Sequence, residues 1–139
     1  PVLRTDFIDI AFIKLNENVD FTNDIPGMEQ MKYFVSREYL IPGKTQIRMI
    51  KGDCFTMCGT YSRVLPQQKL PYPDSPSHWL SNLLEVVPNT NLAFVKKGDS
   101  GSVVVDQNNN LVGVVVAQEE GAGYIISFDE IRNEFDLKI

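Results

Sequence analysis

One stretch of this chain decides its fold class: it reads GDSGSVVVDQNNNLVGVVV and covers residues 98–116. Two valine-rich runs flank residues 107–110, Gln-Asn-Asn-Asn, and these turn residues tolerate positive φ. Valine favours the pleated, half-buried surface of a β-strand. The pattern therefore predicts a β-hairpin whose strands are residues 102–106 and 111–117.

Further short β-type segments surround this hairpin at the spacing typical of antiparallel sheets. They are residues 46–50, 54–57, 60–65, 83–87, 92–96 and 123–128. Together with the hairpin they predict an all-β antiparallel barrel or sandwich of eight short strands. Residues 66–81 hold four prolines and are predicted to form a surface loop. Residues 129–135 begin with acidic residues and place Ile131 and Phe135 on one face, which predicts a short amphipathic helix.

The N-terminal part of the chain contains one strongly apolar segment. Residues 7–15 are rich in β-branched and aromatic residues, which predicts a strand buried on both faces. Asp9 lies inside this segment, and its burial would be costly without a hydrogen bond or a charged partner. We therefore expect Asp9 to have a specific role. Residues 16–26 are polar and end at the Pro26-Gly27 pair, as expected of a surface connection.

The composition is that of one ordinary globular domain. Of 139 residues, 43% are hydrophobic and 22% charged, and 13 Lys+Arg against 18 Asp+Glu leave a formal charge of −5. An acidic chain without a run of Lys or Arg has no surface suited to a phosphate backbone, so no nucleic-acid partner is expected. Its apolar stretches are far shorter than the roughly 20 residues that span a bilayer, so no membrane role is expected.

The sequence offers few ligands for a metal or partners for a disulfide. It has two cysteines, Cys54 and Cys58, and one histidine, His78. On a strand the two cysteines would lie about 13 Å apart, which is too far for a disulfide. We therefore predict free thiols, which favour an intracellular location. No metal site and no cofactor are predicted.

The turn at residues 98–102 is the candidate chemical site. Its glycines, Gly98 and Gly101, allow backbone amides to converge on one point, where they can bind an oxyanion. Ser100 in such a turn is a candidate nucleophile, although its hydroxyl needs a base, and the base needs a carboxylate to orient it. Asp9 is the natural carboxylate in this sequence.

Two motifs carry a resemblance to a known family. Residues 9–15, Asp-Ile-Ala-Phe-Ile-Lys-Leu, and residues 98–101, Gly-Asp-Ser-Gly, resemble the Asp and Ser motifs of chymotrypsin/trypsin-like serine proteases, in the family's order. Residues 111–116 resemble the strand after the nucleophile, and residues 123–124 and 129–135 resemble the last strand and the terminal helix. The resemblance implies a Greek-key double-barrel fold. Residues 1–20 would be the last strand of an incomplete N-terminal barrel, residues 21–44 the interbarrel connection, and residues 45–139 the C-terminal barrel with its helix.

The resemblance also implies the roles of individual residues. Ser100 would be the nucleophile, Asp9 the orienting carboxylate, and the amides of Gly98 and Ser100 the oxyanion hole. Asp99 would brace the loop through a buried ion pair, or would instead cap its own turn.

A peptide or protein substrate would bind as an added strand. Its pairing edge would be Val116, Ala117 and Gln118, and Phe94 would lie near the base of an apolar pocket. Such a pocket favours a small or medium apolar residue before the scissile bond.

The chain departs from the family at the catalytic histidine. Only eight residues precede Asp9 and none is histidine, whereas the family places its histidine upstream of the aspartate. His78 follows Asp9, in the wrong order for the family, and we expect it to have a loop or packing role. We therefore expect sequence upstream of Pro1, and a His-bearing half of the same precursor as the partner. That partner would also cover the apolar strand at residues 7–15; otherwise we expect the chain to associate with itself.

Two further departures concern the branch of the family. Ser102 stands where many members have a second glycine, and the family's common disulfides are missing. The change to serine is tolerated in several branches, whereas the missing disulfides favour an intracellular or viral-type branch over a secreted digestive or clotting enzyme.

Three functional hypotheses remain. The first is the C-terminal part of a serine endopeptidase that uses Ser-His-Asp acyl-enzyme chemistry, with the histidine supplied from outside this chain. The second is a pseudoprotease, a β-barrel that binds a peptide or partner without cleaving it. The third is an unrelated all-β domain in which the two motifs coincide by chance. The presence of Asp9 together with Ser100 favours the enzyme, because a pure binder has no need of both.

Overall fold

The structure, a computed structural model, describes residues 10–11, 14–20, 33–51, 56–72 and 75–135. Within these ranges six antiparallel strands form a closed barrel in the order β1-β2-β3-β6-β5-β4. The strands are β1 Gln46–Ile50, β2 Thr56–Tyr72, β3 Ser75–Pro88, β4 Val103–Asp106, β5 Leu111–Glu119 and β6 Ala122–Ser127. A 3-10 helix, Arg37–Tyr39, precedes the barrel, and helix α1, Phe128–Phe135, follows it. The predicted all-β fold with a short C-terminal helix is confirmed.

The hairpin of β4 and β5 forms where turn chemistry predicts it. The Oδ1 atom of Asp106 accepts hydrogen bonds from the amides of Asn108 and Asn110, each at 2.9 Å. Asn109 takes a φ of +63°, a conformation that asparagine tolerates better than most residues. The side chain of Asp106 therefore closes the turn and sets the register of the valine-rich strands on either side.

Apolar residues pack in two layers, one inside the barrel and one outside it. Leu84, Val86 and Ile125 belong to the inner cluster. Tyr124 and Ile126, the neighbours of Ile125, belong to the second cluster. Because successive residues of a strand point to opposite faces, the second cluster lies on the outer face of the barrel. The remaining buried members of the second cluster are Leu65, Leu70, Leu80, Leu83 and Ile131.

The predicted surface loop at residues 66–81 is wrong. β2 and β3 continue through this segment as an antiparallel pair, and residues 66–72 and 75–81 are named here the hairpin arm. Pro71 coincides with the register shift between Leu70 and Tyr72, where the ladder does not need an N–H group. Leu70 and Leu80 are buried, so packing of the arm outweighs its proline content. His78 accordingly lies on β3.

The predicted strand at residues 92–96 is also wrong. The described structure has bends there, and the amide of Phe94 donates to the carbonyl oxygen of Gly121 at 2.8 Å. Phe94 and Val95 project into the barrel from this loop and belong to the inner cluster. The apolar character that resembles a strand in the sequence is explained by this burial. Six strands, and not eight, are present among the described residues.

Helix α1 is joined to the segment that precedes the barrel. The hydroxyl of Ser127 accepts a hydrogen bond from the amide of Glu130 at 3.4 Å, as an N-cap residue does. The backbone amide of Arg37 donates to Asp129 at 2.8 Å, and the guanidinium of Arg37 donates to Glu130 at 2.5 Å. No helix in the described ranges has the length and apolar character needed to cross a membrane.

Candidate active site

The turn before β4 is closed by its own backbone. The amide of Asp99 donates to the carbonyl oxygen of Lys96, and the amide of Ser102 donates to that of Asp99, both at 3.0 Å. Gly98 has a φ of +96° and Gly101 a φ of +92°, a region that favours glycine because it has no Cβ. The two glycines thus allow the chain to reverse twice within residues 96–102.

The same turn is attached to β5. The amide of Gly101 donates to the carbonyl oxygen of Val115 at 2.8 Å, and the amide of Val115 donates to that of Ser102 at 2.9 Å. Within residues 98–102 the amides of Asp99, Gly101 and Ser102 are thus used, which leaves two others, those of Gly98 and Ser100. In the part of the chain that the structure describes, neither of those two amides donates a hydrogen bond to another protein group. Both are therefore available to a ligand.

Ser100 is exposed at the end of this turn. Its hydroxyl donates a hydrogen bond of 3.3 Å to the carbonyl oxygen of Val116. Val116 occupies a register shift of β5, because Val115 pairs with Ile125 and Ala117 already pairs with Tyr124. This bulge brings the Val116 carbonyl next to the turn.

Asp99 makes two side-chain contacts. Its Oδ2 atom accepts a hydrogen bond from the amide of Lys96 at 2.8 Å, which closes its own turn. Its Oδ1 atom lies 3.2 Å from the Nζ atom of Lys51, and the Asp99 side chain is only 13% exposed. Sequence reasoning left a cap and an ion pair as alternatives; the described contacts include both.

Lys51 is the residue that sequence reasoning missed. It follows β1 directly, 48 positions before Asp99, and no local motif connects the two. The link is the sheet register, because Met49 pairs with Val104 in the antiparallel pair of β1 and β4. Continuing this register places Lys51 opposite Ser102, beside the turn. Only the pairing of distant strands could have revealed it.

An apolar cavity of about 550 Å³ opens beside Ser100. Its volume is in the range of sites that hold a small ligand or a side chain. The cavity is bounded by the turn, by β4 and β5, by helix α1 and by a short N-terminal segment. Its lining residues are Ile10, Ala11, Ser100, Gly101, Val103, Leu111, Val114, Val115, Val116, Phe128 and Ile131.

The sequence-predicted pocket residues are placed differently from one another. Val116 lines the cavity. Ala117 and Gln118 follow it on β5, where Gln118 is exposed and pairs with Gly123 of β6. Phe94 is 1% exposed in the inner cluster and is not among the cavity-lining residues. Its ring lies against Gly59 and Gly123, where an added Cβ would come within 3.1 Å and 2.9 Å of ring carbons.

Among the described residues, no strand neighbours the edge of β5 next to Ser100 beyond Val115. The pairing of β4 with β5 ends at Val103 and Val114, and the turn adds its bonds at Val115. In the described structure, Ala117 and Gln118 thus pair on one side only, with β6, and Val116 lies at the register shift. Such an edge offers backbone groups to an additional strand.

The other reactive residues named in the sequence analysis lie either outside the described residues or on other elements of the barrel. Asp9 and Cys54 lie outside the described residues. His78 lies on β3, where its ring contacts that of Tyr72 edge-on with 5.4 Å between centroids. Cys58 has a free, exposed thiol on β2. Across the described ranges, no three His, Cys, Asp or Glu side chains are grouped so that they could hold a metal ion.

Comparisons with known proteins bear on the fold. Neither a protein-family model nor a curated protein matches the sequence. The crystal structure of the 2A protease from human rhinovirus C15 is similar, with a TM-score of 0.50 and 12% identity over 82% of this chain and 70% of that one. The solution structure of the 2A proteinase from human rhinovirus RV-C02, strain W12, a common cold agent, has a TM-score of 0.47 and 14% identity. That match covers 62% of this chain and 57% of the proteinase chain. At these identities the likeness shows architecture alone: the chain has the chymotrypsin-like β-barrel fold.

Proposed function

We propose that this chain is the nucleophile-bearing part of a serine endopeptidase. One observation carries the proposal: an exposed Ser100 hydroxyl stands beside two amides, of Gly98 and Ser100, that donate to no other group of the described residues. Two free amides next to a nucleophile can form an oxyanion hole when they point to the same spot. The chymotrypsin-like fold and its likeness to a rhinovirus protease also support a peptidase.

The proposed reaction follows acyl-enzyme chemistry. The Ser100 oxygen attacks the scissile carbonyl carbon while its proton passes to a histidine from outside this chain, which Asp9 orients. The carbonyl oxygen takes up negative charge and is held by the amides of Gly98 and Ser100. The histidine then protonates the leaving amine, and water hydrolyses the ester that remains on Ser100. The upstream half of the precursor is the proposed source of the histidine.

The substrate is proposed to bind as a strand along residues 116–118. Its backbone would pair with the open edge of β5, and an apolar side chain would enter the cavity beside Ser100. The cavity lining supports this choice, because its side chains are apolar apart from the Ser100 hydroxyl. A substrate with a small or medium apolar residue before the scissile bond is therefore expected to be preferred over one with a charged residue.

Fluorophosphonate labelling, read by peptide mass spectrometry, tests the proposal. The reagent modifies serine hydroxyls that a base has activated and leaves ordinary ones unmodified. We expect labelling at Ser100 in the precursor that includes the upstream sequence, and much weaker or no labelling in the 139-residue chain. Ser100→Ala should abolish it, whereas Ser102→Ala, two positions away, should leave the Ser100 peptide labelled.

Each other outcome has a definite meaning. Labelling of the 139-residue chain alone would require a base within it, and His78→Ala would then test the one histidine. Absence of labelling in both preparations would contradict the endopeptidase and favour the pseudoprotease, a barrel that binds peptides without cleaving them.

A further inference from the structure

The carboxylate of Asp99 is bound on both of its oxygens. Oδ2 accepts the amide of Lys96 at 2.8 Å, and Oδ1 contacts Lys51 Nζ at 3.2 Å. The backbone of Asp99 is equally occupied, since its amide donates to Lys96 and its carbonyl oxygen accepts from Ser102. Asp99 therefore connects the turn to β1 through Lys51, and Lys51 is the contact that comes from outside the turn.

The position of Asp99 controls the direction of the neighbouring amides. The Asp99 carbonyl and the Ser100 N–H belong to one planar peptide group, so fixing the carbonyl on Ser102 also fixes the N–H of Ser100. The Asp99 amide belongs to the preceding peptide group, which carries the carbonyl of Gly98. A side-chain contact that holds Asp99 thus acts directly on the segment between the two free amides.

Charge is the second reason why this contact matters. Asp99 lies between Gly98 and Ser100, and an uncompensated carboxylate there would oppose negative charge that develops at those amides. The ammonium of Lys51, whose side chain is 28% exposed, contacts the carboxylate and compensates its charge. The neighbouring Lys97 is exposed and makes no such contact within the described structure.

We propose that Lys51 is a positioning residue: its ammonium holds and neutralises Asp99, and thereby keeps the amides of Gly98 and Ser100 aimed at one point. The inference rests on the proposed function, because it assigns the two amides to an oxyanion. It adds a residue that no local motif identifies.

The experiment compares Lys51→Met, Lys51→Arg and, as a control that removes the same charge from an exposed site, Lys97→Met. The precursor is labelled with fluorophosphonate, and the second-order rate constant at Ser100 is measured. We expect a loss of about 100-fold for Lys51→Met, which is the cost of misplacing a catalytic group by about 1 Å. Lys51→Arg should restore most of the rate because it keeps the charge, and Lys97→Met should behave as the wild type.

A second measurement does not depend on activity. Amide ¹H–¹⁵N spectra report the surroundings of Gly98 and Ser100 directly, and hydrogen exchange reports the order of the turn through the hydrogen-bonded amides of Asp99 and Ser102. Lys51→Met should shift the Gly98 and Ser100 resonances and speed exchange at Asp99 and Ser102, while amides of β3 and β6 and the melting temperature change little. In an Asp99→Asn background, Lys51→Met should have no additional effect on either readout, because its partner charge is gone.

The two proposals fail in distinguishable ways. If the wild-type precursor is never labelled, the endopeptidase is contradicted, and the spectra still decide whether Lys51 orders the turn. If Ser100 is labelled but Lys51→Met matches Lys97→Met in rate and spectra, the role of Lys51 is contradicted alone. Equal losses in Lys51→Met and Lys51→Arg would also contradict it, because they would indicate a packing defect rather than a missing charge.

Discussion

Gly101 and Gly113 show how two glycines can be required for different physical reasons. Gly101 has a φ of +92°, and a Cβ there would meet no atom within 4 Å. A Cβ on Gly113 would lie 2.0 Å from the backbone oxygen of Ile126. Gly101 is therefore required by its backbone conformation, and Gly113 is required because no space is left for a side chain.

This difference predicts the order of two alanine substitutions. Gly101→Ala should lower the free energy of unfolding by about 1–2 kcal/mol, the cost of a left-handed conformation for a residue with a Cβ. Gly113→Ala should lower it by more than about 3 kcal/mol, because β5 and β6 must separate. Denaturant unfolding followed by circular dichroism measures both. A larger loss for Gly101→Ala than for Gly113→Ala would contradict the strand contact at Gly113.

At the scale of elements, the hairpin arm is an integral part of the fold. Leu70 and Leu80 of the arm belong to the second cluster, together with Ile126 of β6 and Ile131 of α1. Partly buried Val116 and Ala117 of β5 pack against the same cluster. The arm therefore supports the strand whose open edge lies beside Ser100.

Two leucine substitutions test this packing. Leu80 is 1% exposed, and Leu80→Ala should lower the free energy of unfolding by about 2–5 kcal/mol, the usual cost of deleting a buried leucine. Leu92 is 63% exposed, and Leu92→Ala should change the free energy of unfolding by no more than about 0.5 kcal/mol. Chemical denaturation gives both values. Similar small changes in the two variants would mean that the arm is not packed on the barrel.

At the scale of the whole molecule, the free energy of unfolding depends on pH through Tyr124, a member of the second cluster. Burial is the main cause that raises the pKa of Tyr124 from 10.0 to about 12, followed by its hydrogen bond to Glu119 at 2.6 Å and repulsion by Glu119 and Glu85. The nearby guanidinium of Arg63 acts in the opposite direction. The folded state thus favours the neutral phenol more strongly than the unfolded state does.

The sign of the pH effect follows from this comparison. The pKa of Tyr124 is higher in the folded state than in the unfolded state. The stabilisation of the folded state by the neutral Tyr124 phenol is therefore complete below pH 10.0 and is lost as the pH rises towards about 12. Urea unfolding across this window should show a steeper loss of stability in the wild type than in Tyr124→Phe. Glu119→Gln should bring the pKa of Tyr124 closer to its ordinary value and reduce the slope. Equal slopes for wild type and Tyr124→Phe would contradict the assignment.

Local chemistry in the sequence was sufficient for the elements that depend on neighbouring residues. The hairpin of β4 and β5 follows from the turn residues around Asn109, and helix α1 follows from its acidic start and the position of Ile131. The glycine turn around Ser100 was predictable for the same reason, because φ values above zero favour glycine. These features need only the few residues that form them, so a single sequence is enough to predict them.

Only the tertiary structure decided which distant segments meet. The sequence alone indicated a loop at residues 66–81 and a strand at residues 92–96, and packing reversed both: the first is a hairpin arm, and the second is a loop that inserts Phe94 into the barrel. The contact between Lys51 and Asp99 likewise depends on the register of β1 against β4. The physical reason is that burial and strand pairing act between residues far apart in the chain, and local propensity carries no information about them.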